Sequence, residues 1–266
     1  MTDSHQLDQQ RLAFGRAAEL YDRVRPSYPE PVMDALVDRM SLRTGDRILE
    51  VGCGTGKATV MLAARGLRVV GLDPDREMTA VARRNGAGHM AAEIIEIDFE
   101  RYQPVEPFPA LISVQAWHWV ADDVRYRKAA EVIRPGGILA ALWMFPAWAR
   151  CSLRPALRQA YQTAGPELEA DFPMHPDSQP DQLAGDWKQE IERSTGFAEP
   201  VVTVDRHALE YSAQQYAELL QTHQDHILLG SDKRDALLLA VTEVIERHGG
   251  RFTLPLDVWS CTARRV

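Results

Sequence analysis

The sequence predicts an α/β protein built on a doubly wound, mostly parallel sheet. Two observations carry this expectation. Short apolar runs of strand length alternate with helical stretches through the first half of the chain, and strands separated by helices imply crossover units that cover a parallel sheet on both faces. One of those runs passes directly into three alternating glycines and then a helix, at the carboxyl end of a strand where open sheets of this kind bind ligands.

Taken in order, residues 8–24 place Ala13, Ala17, Leu20, Tyr21 and Val24 on one helical stripe that Pro26 ends. A second helix after Pro29 puts Met33, Leu36, Val37 and Met40 on one face and leads into the turn Thr44-Gly45-Asp46. Strands are then expected at 48–51, 67–72, 93–97, 110–114 and 137–143, with helices at 57–65, 76–84 and 122–133 between them. The second half is less regular. Residues 145–200 carry helical patches rich in proline and charge, 201–207 reads as a strand, and two helices at 212–229 and 231–248 are broken by Gly230 before a last strand at 252–263. The stretches 145–200 and 212–250 are expected to cover the sheet edge within one domain.

Composition sets outer bounds. With 266 residues, 45% hydrophobic and 26% charged, the chain is long enough to bury a stable core without staples. Thirty basic against 38 acidic residues leave a net charge of −8, so no global field draws it to nucleic acid or anionic lipid. Cys53, Cys151 and Cys261 are far apart and odd in number, which suits a reducing compartment. The first residues are polar, and no apolar run approaches the roughly 18 residues of a spanning helix. A cytoplasmic, soluble protein is expected. His223 and His226 flank Asp225 at a spacing that could hold a metal, but without a fourth partner they read as a solvated helix face, and no metal is expected.

The glycine loop is Leu49-Glu50-Val51-Gly52-Cys53-Gly54-Thr55-Gly56-Lys57. Glycine serves there by allowing unusual dihedrals and close approach of a ligand to the backbone. A dinucleotide loop would need glycine at position 57 or 59, where Lys57 and Thr59 stand, and a P-loop would need glycine at 51 and a hydroxyl at 58, where Val51 and Ala58 stand. Phosphate cradling is therefore disfavoured.

These residues resemble the first motif, E/D-x-G-x-G-x-G, of class I S-adenosylmethionine-dependent methyltransferases. The resemblance continues through Asp73, 17 residues after Gly56 and followed by Pro74, through Asp98-Phe99 at the third strand end, and through Arg134-Pro135-Gly136-Gly137. It covers about residues 45–143 and implies a Rossmann-like sheet of seven strands with the last antiparallel. It also implies S-adenosylmethionine as cofactor, with S-adenosylhomocysteine as its product. Glu50, Gly52, Gly54 and Gly56 would meet its methionine end, Asp73 and Pro74 its ribose, and Asp98 and Phe99 its adenine; a carboxylate suits a vicinal diol because it accepts two hydrogen bonds at once. Asp73 before Pro74 is also readable as a helix N-cap.

The fourth strand ends in Gln115-Ala116-Trp117-His118-Trp119. This segment, with Tyr21, Arg25 and Tyr28 in Tyr21-Asp22-x-x-Arg25-Pro26-Ser27-Tyr28-Pro29, is similar to a subgroup that resembles trans-aconitate methyltransferases. By that likeness the helix bearing Tyr21 is a lid, Gln115, Tyr21 and Arg25 meet the cofactor, and Tyr28, Trp117, His118 and Trp143 meet the acceptor. Tyr21 can equally be a core residue and Arg25 a solvated charge. His118 is the candidate general base, because a neutral imidazole is still basic near neutral pH, and Tyr21 is a second catalytic candidate. The organisation expected is lid helices over 1–40, a cofactor-binding core over 41–145, cap helices over 146–200, and the remaining sheet with its helical cover over 201–266. The function expected is methyl transfer to a small-molecule acceptor. A silent cofactor-binding regulator and a nicotinamide oxidoreductase are the alternatives.

Overall fold

The computed structural model describes residues 18–89, 91–168, 174–178 and 187–266. Ala13 and Ala17 of the first expected helix lie outside the described residues, as does part of the expected cap over 146–200. The described chain begins with α1 (Ala18–Val24) and α2 (Glu30–Arg39). There follow β1 (Arg47–Val51), α3 (Lys57–Ala64), β2 (Arg68–Asp73), α4 (Arg76–Gly86), β3 (Ala92–Glu96), β4 (Phe108–Val114), α5 (Arg125–Val132) and β5 (Ile133–Pro146). The remainder is α6 (Arg154–Ala164), α7 (Trp187–Arg193), β6 (Phe197–Ser212), α8 (Ala213–Leu220), α9 (Gln224–Leu228), α10 (Ser231–Arg247) and β7 (Arg251–Arg265).

The seven strands form one sheet in the order β3-β2-β1-β4-β5-β7-β6. The first five are parallel to one another, and β7 runs antiparallel to both β5 and β6. Alternate side chains sort onto two faces because successive residues of a strand point oppositely. Leu49, Val70, Leu111 and Leu139 pack with Phe108 and Trp143 on one face. Ile48, Val69, Ile112 and Ala140 pack with Met33, Leu36 and Leu62 on the other. Both faces are covered, as the near-continuous apolar runs require.

The last strands are longer than the sequence suggests. The expected strand at 201–207 is the middle of a 16-residue edge strand, whose Asp205, Arg206 and Glu210 face solvent and hide the strand pattern. Beyond the sheet proper, Tyr211, Phe252, Leu254 and Leu256 of this β6–β7 ribbon pack with Leu157, Tyr161, Tyr216, Leu237 and Val241 of α6, α8 and α10. The helical cap is thus built on an extension of the sheet. The single helix expected at 212–229 is two, α8 and α9, separated by Gln221, Thr222 and His223. No helix among the described residues is long and apolar enough to cross a membrane. All three cysteines are free and buried.

Candidate functional site

The carboxyl ends of β1, β2 and β4 open into a cavity of about 530 Å³ roofed by the α1 segment and the cap. The glycine loop forms its floor. The Gly52 and Cys53 amides both donate to the Leu72 carbonyl, at 2.8 and 2.9 Å, which ties the loop to the end of β2. Gly52 has φ +72, and a Cβ there would lie 2.2 Å from the Ala116 Cβ, so the loops after β1 and β4 touch. Gly54 has φ +53 and open space where a side chain would be. Beside it the buried Thr55 hydroxyl has no hydrogen-bond partner in the structure. Gly56 differs from the expectation: it is not part of the cavity wall, and its missing Cβ instead lets Ala82 approach to 3.2 Å, seating α3 on α4.

The acids occupy distinct settings. Glu50 is 1% exposed and accepts a 2.5 Å hydrogen bond from the Thr59 hydroxyl. Burial raises its pKa to about 8, with the Asp73 charge adding and Thr59 opposing, so it is largely the neutral acid near pH 7. Asp73 accepts from the Gly54 amide at 2.9 Å and the Asp75 amide at 3.0 Å. The helix N-cap of α4 is Asp75, which accepts from Glu77 and Met78, so Asp73 is left to shape the loop and face the cavity. Asp98 lies in the wall with Pro74, Ile97 and Phe99, and pairs with Arg101 at 3.4 Å.

At the carboxyl end of β4, Gln115 takes a left-handed backbone (φ +59) and donates to the Met144 carbonyl at 3.1 Å. Trp117 does not line the cavity. It is 1% exposed and packs between Phe99 and Tyr126, each 5.9 Å away, because the turn after β4 points it down onto the sheet. Trp143 does reach the wall, stacks on Trp187, and donates from its indole nitrogen to His118 Nδ1 at 3.2 Å. Water reaches the His118 ring through the cavity, yet protein surrounds its other sides; this burial, with the Arg125 charge second, lowers its pKa to about 4. The imidazole is neutral with its proton on Nε2. This arrangement differs from that of the expected base: the lone pair on Nδ1 is engaged by Trp143, and the remaining nitrogen of the neutral ring carries the proton.

Tyr21, Arg25 and Tyr28 all line the roof. Arg25 lies over the Tyr21 ring at 4.9 Å and donates from Nε and Nη2 to the Thr222 hydroxyl and carbonyl at 2.8 and 2.9 Å. Lys57 donates to the Asp22 carbonyl at 2.6 Å. The α1 segment is thereby fastened to both the glycine loop and the cap. Burial pushes the Tyr28 hydroxyl pKa far up.

Sequence reasoning missed the cap's contribution. Tyr211, His223 and Asp225 join the wall, and the expected solvated face is corrected: His226 is 0% exposed, with Nε2 2.8 Å from the Tyr161 hydroxyl and Nδ1 2.9 Å from Asp225 Oδ1. The available signal was Leu219-Leu220 and Ile227-Leu228 flanking the polar residues. No group of three or more potential ligands among the described residues is placed to hold a metal ion.

Residues 48–137 match the family model described as a methyltransferase domain. An uncharacterized methyltransferase of Mycobacterium tuberculosis is 39% identical over 136 residues, covering 50% of this chain and 52% of that protein. Malonyl-[acyl-carrier protein] O-methyltransferase of Salmonella typhimurium is 32% identical over 162 residues, 60% of this chain and 61% of that protein. The chain spans about half the length of the first curated relatives it matches. Among solved structures, one from Anaeromyxobacter dehalogenans aligns with a TM-score of 0.59 at 19% identity over 90% of this chain and 97% of that one. The [4+2]-cyclase SpnF aligns with a TM-score of 0.55 at 19% identity over 98% and 96%. At such identities these structures share the fold.

Proposed function

Since residues 48–137 match the model of a methyltransferase domain, we propose that this chain is a class I, S-adenosylmethionine-dependent enzyme that moves a methyl group from S-adenosylmethionine to a small molecule held in the same cavity. The observation that carries this reading is that the glycine loop, two strand-end carboxylates and an aromatic chamber open into one space.

The residues present fit the cofactor. The bare face of Gly54 and the partnerless Thr55 hydroxyl would receive its amino-acid end beside Glu50. Asp73 would take the ribose diol, and Asp98 with Phe99 and Pro74 would flank the adenine. When bound, the cofactor supplies a methyl carbon already activated on a sulfonium, so what remains for the protein is orientation, worth up to roughly 7–11 kcal/mol in well-aligned reactants. Arg25 and Tyr21 close the roof, and shedding water there favours a transition state whose charge is dispersed or cancelled. His118 gives the acceptor a fixed N–H donor. Trp143, held by its stack on Trp187, fixes that donor's direction.

The test is calorimetric titration with S-adenosylhomocysteine followed by incubation with methyl-labelled S-adenosylmethionine and a panel of small acids, amines, phenols and indoles. Saturable binding and label in at least one small molecule are expected. No binding would overturn the reading, and binding without transfer would leave a protein that holds the cofactor for another purpose.

A further inference from the structure

Methyl transfer to a hydroxyl or an amine needs somewhere for the acceptor's proton to go, and His118 cannot be that place because its Nδ1 is engaged by Trp143. Resting on the function proposed above, we propose that His223 is the general base and that the acceptor is a ring-bearing molecule with an O–H or N–H at the reacting atom.

His223 sits between α8 and α9, in the turn that the sequence pattern hid. It lines the cavity and is partly open to it. No hydrogen bond to its ring is formed among the described residues, so one nitrogen of the neutral imidazole offers an unused lone pair. Neighbouring elements hold it in place without consuming that lone pair. The preceding Thr222 is clasped by Arg25 from the roof, and the ring lies edge-on to His226 at 6.2 Å, which is itself anchored by Tyr161 of α6. The charged and titratable groups facing this cluster are Arg25 from the roof, Asp225 and His226 on α9, Tyr161 on α6, and His175, which meets Tyr161 edge-on at 5.2 Å. Burial first, then Arg25 and His226, keep His223 neutral by lowering its pKa well below the usual imidazole value.

The two imidazoles of the wall therefore differ: the Nδ1 lone pair of His118 is engaged by Trp143, whereas the lone pair of His223 is unengaged among the described residues. A carboxylate acceptor would need no base and would leave His223 without a role in the step. The surrounding wall of Trp119, Phe145, Tyr211 and Leu254 suits an aromatic body. In the step, the acceptor's X–H bond breaks and its proton passes to His223. The electron pair of X forms the bond to the methyl carbon, the carbon–sulfur bond breaks, and its pair stays on sulfur as a neutral thioether.

The experiment uses the full chain with 1-naphthol, 1-naphthylamine and 1-naphthoic acid as probes. Label from methyl-labelled S-adenosylmethionine is expected on the naphthol or naphthylamine and not on the acid. His223→Asn should lower kcat about 100-fold while KM and S-adenosylhomocysteine affinity stay within about threefold, and raising the pH toward the acceptor's own ionisation should restore part of the rate. Nitrogen-15 histidine spectra of the complex with S-adenosylhomocysteine should show His118 as the Nε2–H tautomer and a His223 ring resonance that moves on adding naphthol or naphthylamine. Label on the acid alone, an unchanged kcat in His223→Asn, or a His223 resonance unmoved by every probe would overturn the assignment. A wild-type chain that does not bind S-adenosylhomocysteine would instead overturn the underlying function.

Discussion

The indole N–H of Trp143 on β5 points at Nδ1 of His118, 3.2 Å away in the turn after β4, and this bond sets the hydrogen-bonding sense of an imidazole that faces the cavity. Trp143→Phe removes the donor and some buried volume. It should cost about 1–3 kcal/mol in stability and reduce methyl transfer more than cofactor affinity. Denaturant unfolding and parallel titrations of the variant check both parts; unchanged transfer at equal affinity would deny His118 its donor role.

Asp73 holds two amides of the loop region, Gly54 and Asp75. Asp73→Ala should weaken S-adenosylhomocysteine binding by about 1–3 kcal/mol and also lower the melting temperature, because those amides lose their acceptor. Calorimetry with scanning of the unliganded protein separates the two effects. Unaltered affinity would remove Asp73 from the site.

Gly52 and Gly54 should respond differently to the same methyl group. Gly52→Ala drives a Cβ to 2.2 Å from Ala116 and should prevent accumulation of folded protein. Gly54→Ala meets no atom within 4 Å, so only its left-handed backbone is penalised, by about 1–2 kcal/mol. It should fold and bind cofactor poorly. Circular dichroism with ligand titration distinguishes these outcomes, and equal behaviour of the two variants would contradict the loop geometry.

Glu50 gives stability a pH dependence of defined sign. Its pKa is about 8 folded against 4.5 as the reference value, so the native state holds the extra proton in that interval and stability falls as pH rises through it. His118, His175 and His223 are shifted down, so their contribution rises with pH and is complete above 6.5. The range 6.5–8 therefore isolates Glu50 from these imidazoles. Glu50→Gln should flatten the decline in melting temperature across that range. A cationic cofactor beside Glu50 should also expel part of its proton, read as a binding enthalpy that depends on buffer ionisation. A slope identical in variant and wild type would place the acid elsewhere.

Arg25 links the roof to the cap through Thr222. Arg25→Ala should loosen α1, speed cofactor release several-fold and expose the α1 segment to limited proteolysis. Unchanged dissociation in stopped-flow measurements would show that the roof closes by other contacts.

Much of the core was legible because its code is local. Apolar runs at 48–51, 67–72 and 110–114, spaced by helical stretches, read as strands of a sheet covered on both faces, and the glycines, Asp73 and Asp98 sit at or just after strand ends whose position follows from strand length. The sequence therefore determined the sheet's parallel half and the floor of the cavity. Tertiary structure decided the rest. Trp117 and Trp143 both looked like acceptor contacts, and packing around Phe99 and Tyr126 sent one into the core while the stack on Trp187 left the other at the wall. The tautomer of His118 depends on a residue 25 positions away, and the placement of His223, Asp225 and His226 depends on an edge ribbon whose solvent-facing charges concealed its length. Such features arise from groups distant along the chain, whose pairing no local periodicity encodes.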